Sequence, residues 1–363
     1  MKPPFRTGKI AEISAQSTDV VEAVVDTGAE RVRAVGYPQM LGPVRTGDRV
    51  VMNTVGIDLG LGTGGVAFML WNLDGEGPQQ PPPGHIVKLR YTPWQTAVLA
   101  AESQESPLHE ALVDAQSLMG MPVVAAGLHS QVPAVAAAIK AHNTAARVGY
   151  LMTDGGALPL AFSRLLRRCR NAGLVDVTAT CGHAFGGDLE CVNVFSGLVA
   201  LRHAAACDAA VVATGPGVVG TGTALGHSAM EQGQVLDAAA ALDGWSVACL
   251  RINFSEARER HRGVSHHTMT ALRLAARERC RVAVPDLGDR TARILEALDE
   301  SGVSARHDVH VVDGAKGMEH MRSLGVEPSS MGRSLDEIPE LFLAGSAAGH
   351  LAAEAGAEPE SAP

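Results

Sequence analysis

From about residue 93 onward the chain alternates short, continuous apolar runs with longer segments in which apolar positions recur at helical spacing. The runs occupy 122–126, 148–153, 177–180, 209–213, 247–252, 282–284 and 309–312, and helix-like segments such as 159–172, 189–206 and 291–300 lie between them. This alternation predicts a doubly wound, mainly parallel α/β sheet covered by helices on both faces. Residues 8 to about 92 follow a different rhythm. GKIAEIS, VVEAVVD, RVRAVGY, DRVVMNT, VAFMLWN and HIVKLRY are short, partly alternating segments separated by turns. They predict six strands forming a small closed or nearly closed β-barrel. The expected organisation is a barrel over 1–92, an α/β domain over 93–352 and a frayed tail over 353–363.

Polar punctuation follows each apolar run of the second domain. The clusters are GLHSQ from Gly127, MTDGGALP from Met152, CGHAFGGDLE from Cys181, TGPGVVGTGT from Thr214 and RHRGVSHH from Arg260. In an open parallel sheet, the loops after the carboxyl ends of strands line the ligand crevice, so side chains distant in sequence can meet there.

Composition narrows the function classes. With 46% hydrophobic and 4% aromatic residues, the core must be built mainly from Ala, Val and Leu, and stacking platforms for nucleic acid are not expected. A formal charge of −9 argues against a general polyanion surface, although local arginines suit one small anion. The six cysteines form no CxxC pair, as in a reduced cytoplasmic protein. The opening MKPPFRTGKI lacks a signal peptide's apolar stretch, and no run is long enough to span a membrane. A soluble, cytoplasmic protein with no membrane partner is expected, and a homo-oligomer is compatible with it.

Candidate chemistry lies in the clusters. His183, Asp188 and Glu190 offer nitrogen and oxygen ligands to a divalent cation, or an acid and a base for proton transfer. The competing explanation is local: Asp188 caps a following helix, with Glu190 in its first turn. Asp154, beside Gly155 and Gly156 at a strand end, can face a ligand or simply close a turn. Ser265 is a candidate N-cap that places His266 and His267 in a first helical turn, where the dipole favours neutral imidazole, able to bind metal or donate one hydrogen bond; the competing reading is a solvated loop with no ligand. Arg260 and Arg262 suit a phosphate or carboxylate. Gly215, Gly217 and Gly220 satisfy GxGxxG, and the loop runs on through Gly222. Asn253 stands where a ribose-binding carboxylate belongs, so a phosphate-cradling loop is expected and a nicotinamide cofactor is not. His129 reads as a structural histidine. Lys88 has no supporting neighbour for a Schiff base, and Cys181 could be a nucleophile next to His183, although residues two apart on a turn need not face each other.

Together, LGLGTGG, GHIVKLRYTP, MTDGGALP, GHAFGGDLE, GPGVVGTGT and RHRGVSHH resemble an uncharacterised bacterial family known as a domain of unknown function, found largely in actinobacteria and firmicutes. The resemblance covers essentially the whole chain and implies no activity, cofactor or catalytic residue.

The residues themselves point to a metal-assisted hydrolase of a small anionic substrate. Asp154, His183, Glu190 and His267 would carry proton transfer, while Asp154, His183, Asp188 and His266 would hold a divalent ion. Gly215, Gly217, Gly220, Gly222, Arg260 and Arg262 would orient the substrate. The alternative is a non-catalytic nucleotide or metabolite sensor with the barrel as a docking module.

Overall fold

The structure, a computed structural model, describes residues 3–61, 65–79 and 83–355. Parts of the GLGTGG segment and of the proline-rich connector, and the end of the expected tail, lie outside them. The chain divides into two compact units, Met1–Val98 and Leu99–Pro363.

The first unit is a five-stranded closed barrel in the order β1-β2-β3-β5-β4, from β1 (Phe5–Gln16), β2 (Val21–Asp26), β3 (Arg31–Gly36), β4 (Arg49–Asn53) and β5 (Ala67–Asn72). Alternation in Val21–Asp26 sends Val21, Ala23 and Val25 inward, where they join Ile10, Val50 and Met52 in a core of their own. The sixth expected strand does not enter the barrel. Its residues form β6 (Ile86–Lys88), which pairs antiparallel with β7 (Thr96–Val98) as a separate hairpin.

The second unit is built on an eight-stranded sheet. Its strands are β8 (Pro122–Ala126), β9 (Val148–Thr153), β10 (Val177–Thr180), β11 (Leu189–Glu190), β12 (Ala209–Thr214), β13 (Trp245–Cys249), β16 (Arg281–Pro285) and β17 (Asp308–Val312). The short pair β14 (Ile252–Asn253) and β15 (Gly263–Val264) lies between β13 and β16 in sequence and forms its own ladder. The sheet order is β11-β10-β9-β12-β8-β13-β16-β17, and every neighbouring pair is parallel. Because β8 lies centrally, the chain winds outward through β9 and β10, returns to insert β12, and then continues through β13 on the other side. The order therefore reverses around β12, β8 and β13, which is where ligand crevices open in this class of sheet.

Helices cover both faces. Val132–His142, Ala315–Ser323 and Pro339–Ala355 pack with Val124, Val148, Tyr150 and Val211. Glu231–Ala241 and Asp289–Glu300 pack with Val123, Leu151, Val212 and Val282 on the other face. The final helix, Pro339–Ala355, meets Val132–His142 at close range because Gly345 and Gly349 carry no side chain. A Cβ on Gly349 would overlap the Val135 carbonyl. Where the central strands end, two buried amides satisfy the splayed backbone. Gln232 donates to the carbonyls of Ala125 and Cys249, and Gln131 to those of Leu250 and Leu341.

One expected helix starts later than the pattern indicates. Leu189–Glu190 is the edge strand β11, and the helix begins at Val194, capped by Asn193 in a reciprocal box with Ser196. Asp188 therefore caps nothing there. Among the described residues, no helix is long and apolar enough to cross a membrane.

Candidate metal centre

Four imidazoles meet in the loops that follow β12 and β13. His227 stacks on His267 with centroids 4.0 Å apart and an interplanar angle of 11°. His266 lies edge-on to His267 at 4.5 Å, and His261 approaches His266 and His267 at 4.8 and 4.7 Å. Of these, His227, His266 and His267 can each turn a ligand nitrogen to a common point, the three atoms lying within 4.8 Å of one another.

Local structure explains the convergence. After β13 the chain leaves the sheet, and the ladder Ile252↔Val264 and Asn253↔Gly263 closes the excursion and brings Ser265 back to Arg251, whose carbonyl accepts from the Ser265 N–H. Ser265 then caps the helix His266–Thr270 by accepting from the His267 N–H. On the other side, the glycine loop after β12 doubles back through a bridge between Gly220 and His227. A Cβ at Gly220 would lie 2.9 Å from both Cε1 and Nε2 of His267, so the loop reaches the imidazole edge only without a side chain there.

The hydrogen-bond pattern leaves two ring nitrogens unengaged. His227 Nε2 is 3.1 Å from the Ala224 carbonyl, which can only accept, so that nitrogen carries the hydrogen and Nδ1 keeps its lone pair. His227 Nδ1 and His266 Nε2 are both buried with no hydrogen-bond partner. His261 Nδ1 lies 2.7 Å from Ser265 Oγ. Burial, reinforced by nearby positive charge, lowers all four imidazoles, His261 to about 4 and His267 to about 3. They are neutral at physiological pH, the form in which imidazole binds metal.

Among the arginines that supply this charge, Arg251 is the buried one, 7% exposed. Its Nη1 lies 3.5 Å from His267 Nδ1, at the outer limit of a hydrogen bond. Arg260 is exposed, with its guanidinium beside Gly222. Arg262 instead donates to the carbonyls of Glu256 and Ala257, and so braces its own loop. Gly217 and Gly222 have positive φ, while Gly215 is packed against the Ala157 carbonyl.

The other expected residues form two further groups. Asp154 Oδ2 accepts from the His183 N–H at 3.0 Å, and its carboxylate fills the space a side chain on Gly182 would need. Beside it, burial and the charge of Asp154 push the Glu231 carboxyl up to about 6, and Glu231 Oε2 is buried with no hydrogen-bond partner. Asp188 accepts from the Thr178 N–H and hydroxyl and pairs with Arg170 at 2.8 Å. Glu190 accepts from the Thr180 hydroxyl and the Gly186 N–H. Both carboxylates thus pin β11 to β10. Of the expected metal set Asp154, His183, Asp188 and His266, only His266 belongs to the three-histidine group.

His227 and Glu231 were not singled out by sequence reasoning, each standing alone in ALGHSAMEQ. The chain's return along the glycine loop is the signal that places them. His129 is internal: its ring nitrogens lie 2.9 Å from the Tyr150 hydroxyl and 2.6 Å from Ser163 Oγ, and Ser163 caps the helix Arg164–Asn171. The cysteines are all buried and none forms a disulfide.

A doubly wound α/β protein with a histidine cluster at its strand-order reversal is the class that fold and site define. The chain belongs to the family described as a protein of unknown function (DUF3866), which it matches over residues 33–349. No curated protein and no solved structure matches it significantly.

Proposed function

We propose that the protein is a metal-assisted hydrolase of a small anionic substrate, with a divalent transition-metal ion held by His227, His266 and His267. The observation that carries this reading is the pair of buried ring nitrogens, His227 Nδ1 and His266 Nε2, that no protein group engages, in a cluster with His267. A buried polar atom left unpaired is costly, roughly 1–3 kcal/mol, and an ion satisfies both at once. The Ala224 carbonyl on His227 Nε2 supplies the outer support that metal-bound imidazoles have, fixing the tautomer and aiming Nδ1. Imidazole donors suit Zn²⁺ best among abundant ions, with Fe, Cu and Ni also accommodated.

An ion held by His227, His266 and His267 would supply Lewis-acid activation of water for hydrolysis. Glu231 serves as the proton-handling group. Its carboxyl, pushed up to about 6 by burial and by neighbouring Asp154, exchanges a proton near physiological pH. His183 holds Asp154 in place through its backbone N–H, a positioning role.

The test is metal analysis of the purified protein, followed by Zn²⁺ titration calorimetry and a turnover screen on phosphate and carboxylate esters. One ion per chain is expected, with affinity reduced about 100-fold or more in H227A, H266A and H267A, in line with losses seen when ligand shells are disturbed. A protein that neither retains nor takes up Zn²⁺, Mn²⁺ or Fe²⁺ overturns the reading. Tight metal binding without turnover on any ester favours the sensor instead.

A further inference from the structure

We infer that Arg251 is the anion-recognition residue of this centre and that the group it receives is a phosphoryl oxyanion; the inference rests on the metal reading above for its third cation. Buried guanidinium groups are almost always paired with carboxylates. Arg251 is not. Among the described residues its side chain reaches only His267 Nδ1 at 3.5 Å and the Met331 sulfur at 3.6 Å, a neutral nitrogen and a weak acceptor.

The nearest carboxylate is already engaged. Glu256 accepts from Arg258 Nε at 3.0 Å and Nη2 at 3.1 Å, a two-pronged pair that engages both oxygens, so Glu256 reaches Arg251 only as a through-space charge and makes no ion pair with it. Glu340 accepts from the Phe254 N–H. Arg260, whose guanidinium flanks Gly222, makes no ion pair among the described residues. Three neutral imidazoles leave an ion's 2+ charge uncompensated, and Arg251 and Arg260 add to it. An anionic ligand would offset that charge.

Chemistry then selects the ligand class. A carboxylate brings one negative charge and two oxygens in a plane. A phosphoryl group brings close to two charges and three oxygens in a pyramid, so one oxygen can face the ion while the others meet planar guanidinium forks. The Met331 sulfur also lies 3.7 Å from Arg258 Nη2, so this hairpin tip sits between two guanidinium groups where an oxyanion would be more strongly attracted. Met331 and Gly332 take the left-handed conformations of a tight turn between β18 (Ser329–Ser330) and β19 (Arg333–Ser334), which lets the thioether reach over the arginines.

Calorimetry on the full chain tests this with Zn²⁺, inorganic phosphate and acetate as probes. In wild type loaded with Zn²⁺, phosphate should bind at least about tenfold more tightly than acetate, since it presents more charge and more acceptor oxygens to the two guanidinium groups. R251Q should take up Zn²⁺ normally and lose about tenfold or more in phosphate affinity, and R251K should recover only part of it. R260Q, an exposed change that leaves the interior intact, should weaken phosphate several-fold and keeps the question open to measurement if R251Q does not fold. Unchanged phosphate binding in Zn²⁺-loaded R251Q or R260Q overturns the assignment, and so does acetate binding as tightly as phosphate. If wild type takes up no Zn²⁺, the metal reading fails by itself. Phosphate binding by the metal-free chain that is lost in R251Q would then still support Arg251.

Discussion

Glu231 shows what one residue can cost a fold. In the folded chain its carboxyl titrates at about 6, above the ordinary value of 4.5, because burial and then Asp154 oppose ionisation. A raised folded-state pKa means the native state holds the proton more tightly than the unfolded chain, so this contribution is complete at acid pH and is lost as pH rises from about 4.5 through 6. At pH 7.5 the ionised carboxylate therefore weakens the fold by about 1–2 kcal/mol. E231Q should raise the melting temperature at pH 7.5 by several degrees and leave it unchanged at pH 4. Equal melting shifts at both pH values would show that the carboxyl is not strained. At this scale, legibility in sequence was uneven. His266 and His267 announced themselves by clustering, and Ser265 by its capping chemistry. Arg251 carries no such local signal. Its burial and lack of a carboxylate partner are tertiary facts, since nothing in the local sequence tells that Glu256 is held by Arg258.

Elements explain the remaining successes and failures. The central strands were readable because continuous Val and Ala runs have no other use in a parallel sheet. The strand Leu189–Glu190 was not, since two residues carry no periodicity and Asp188 and Glu190 mimic a helix start. The barrel's sixth segment has strand composition, yet pairs with Thr96–Val98 as a hairpin because alternation does not specify a partner. The glycine loop is the element on which the centre depends most. Its recognition as a cradle missed its second action, which is to fold back and deliver His227 while passing over His267. Gly220 does not have a positive φ, so alanine is conformationally acceptable there, but its methyl would press the His267 ring. G220A should keep its melting temperature within a few degrees and lose about tenfold or more in Zn²⁺ affinity by calorimetry. Undiminished affinity would mean that the loop's approach has no bearing on the ligand.

At the scale of the molecule, each unit carries its own interior. The barrel closes around Ile10, Val21, Val25, Val50 and Met52, and closure removes the exposed strand edges that make small sheets prone to aggregate. The sheet unit buries separate layers on its two faces. Every residue assigned to the centre lies in the unit Leu99–Pro363. A chain comprising residues 99–363 should therefore fold alone and bind Zn²⁺ within about threefold of the full protein, a value inside the usual coupling between independent regions. Loss of cooperative melting in that fragment would show that the barrel is required for the α/β unit to stand.

The close packing of Pro339–Ala355 on Val132–His142 has a temporal consequence. The first helix laid down after the opening strand of the sheet waits for the last one described, some two hundred residues later, before its inner surface is covered. During synthesis the barrel can mature as soon as it leaves the ribosome, whereas the α/β unit stays incomplete, with apolar surface open to chaperones, until its closing helix emerges.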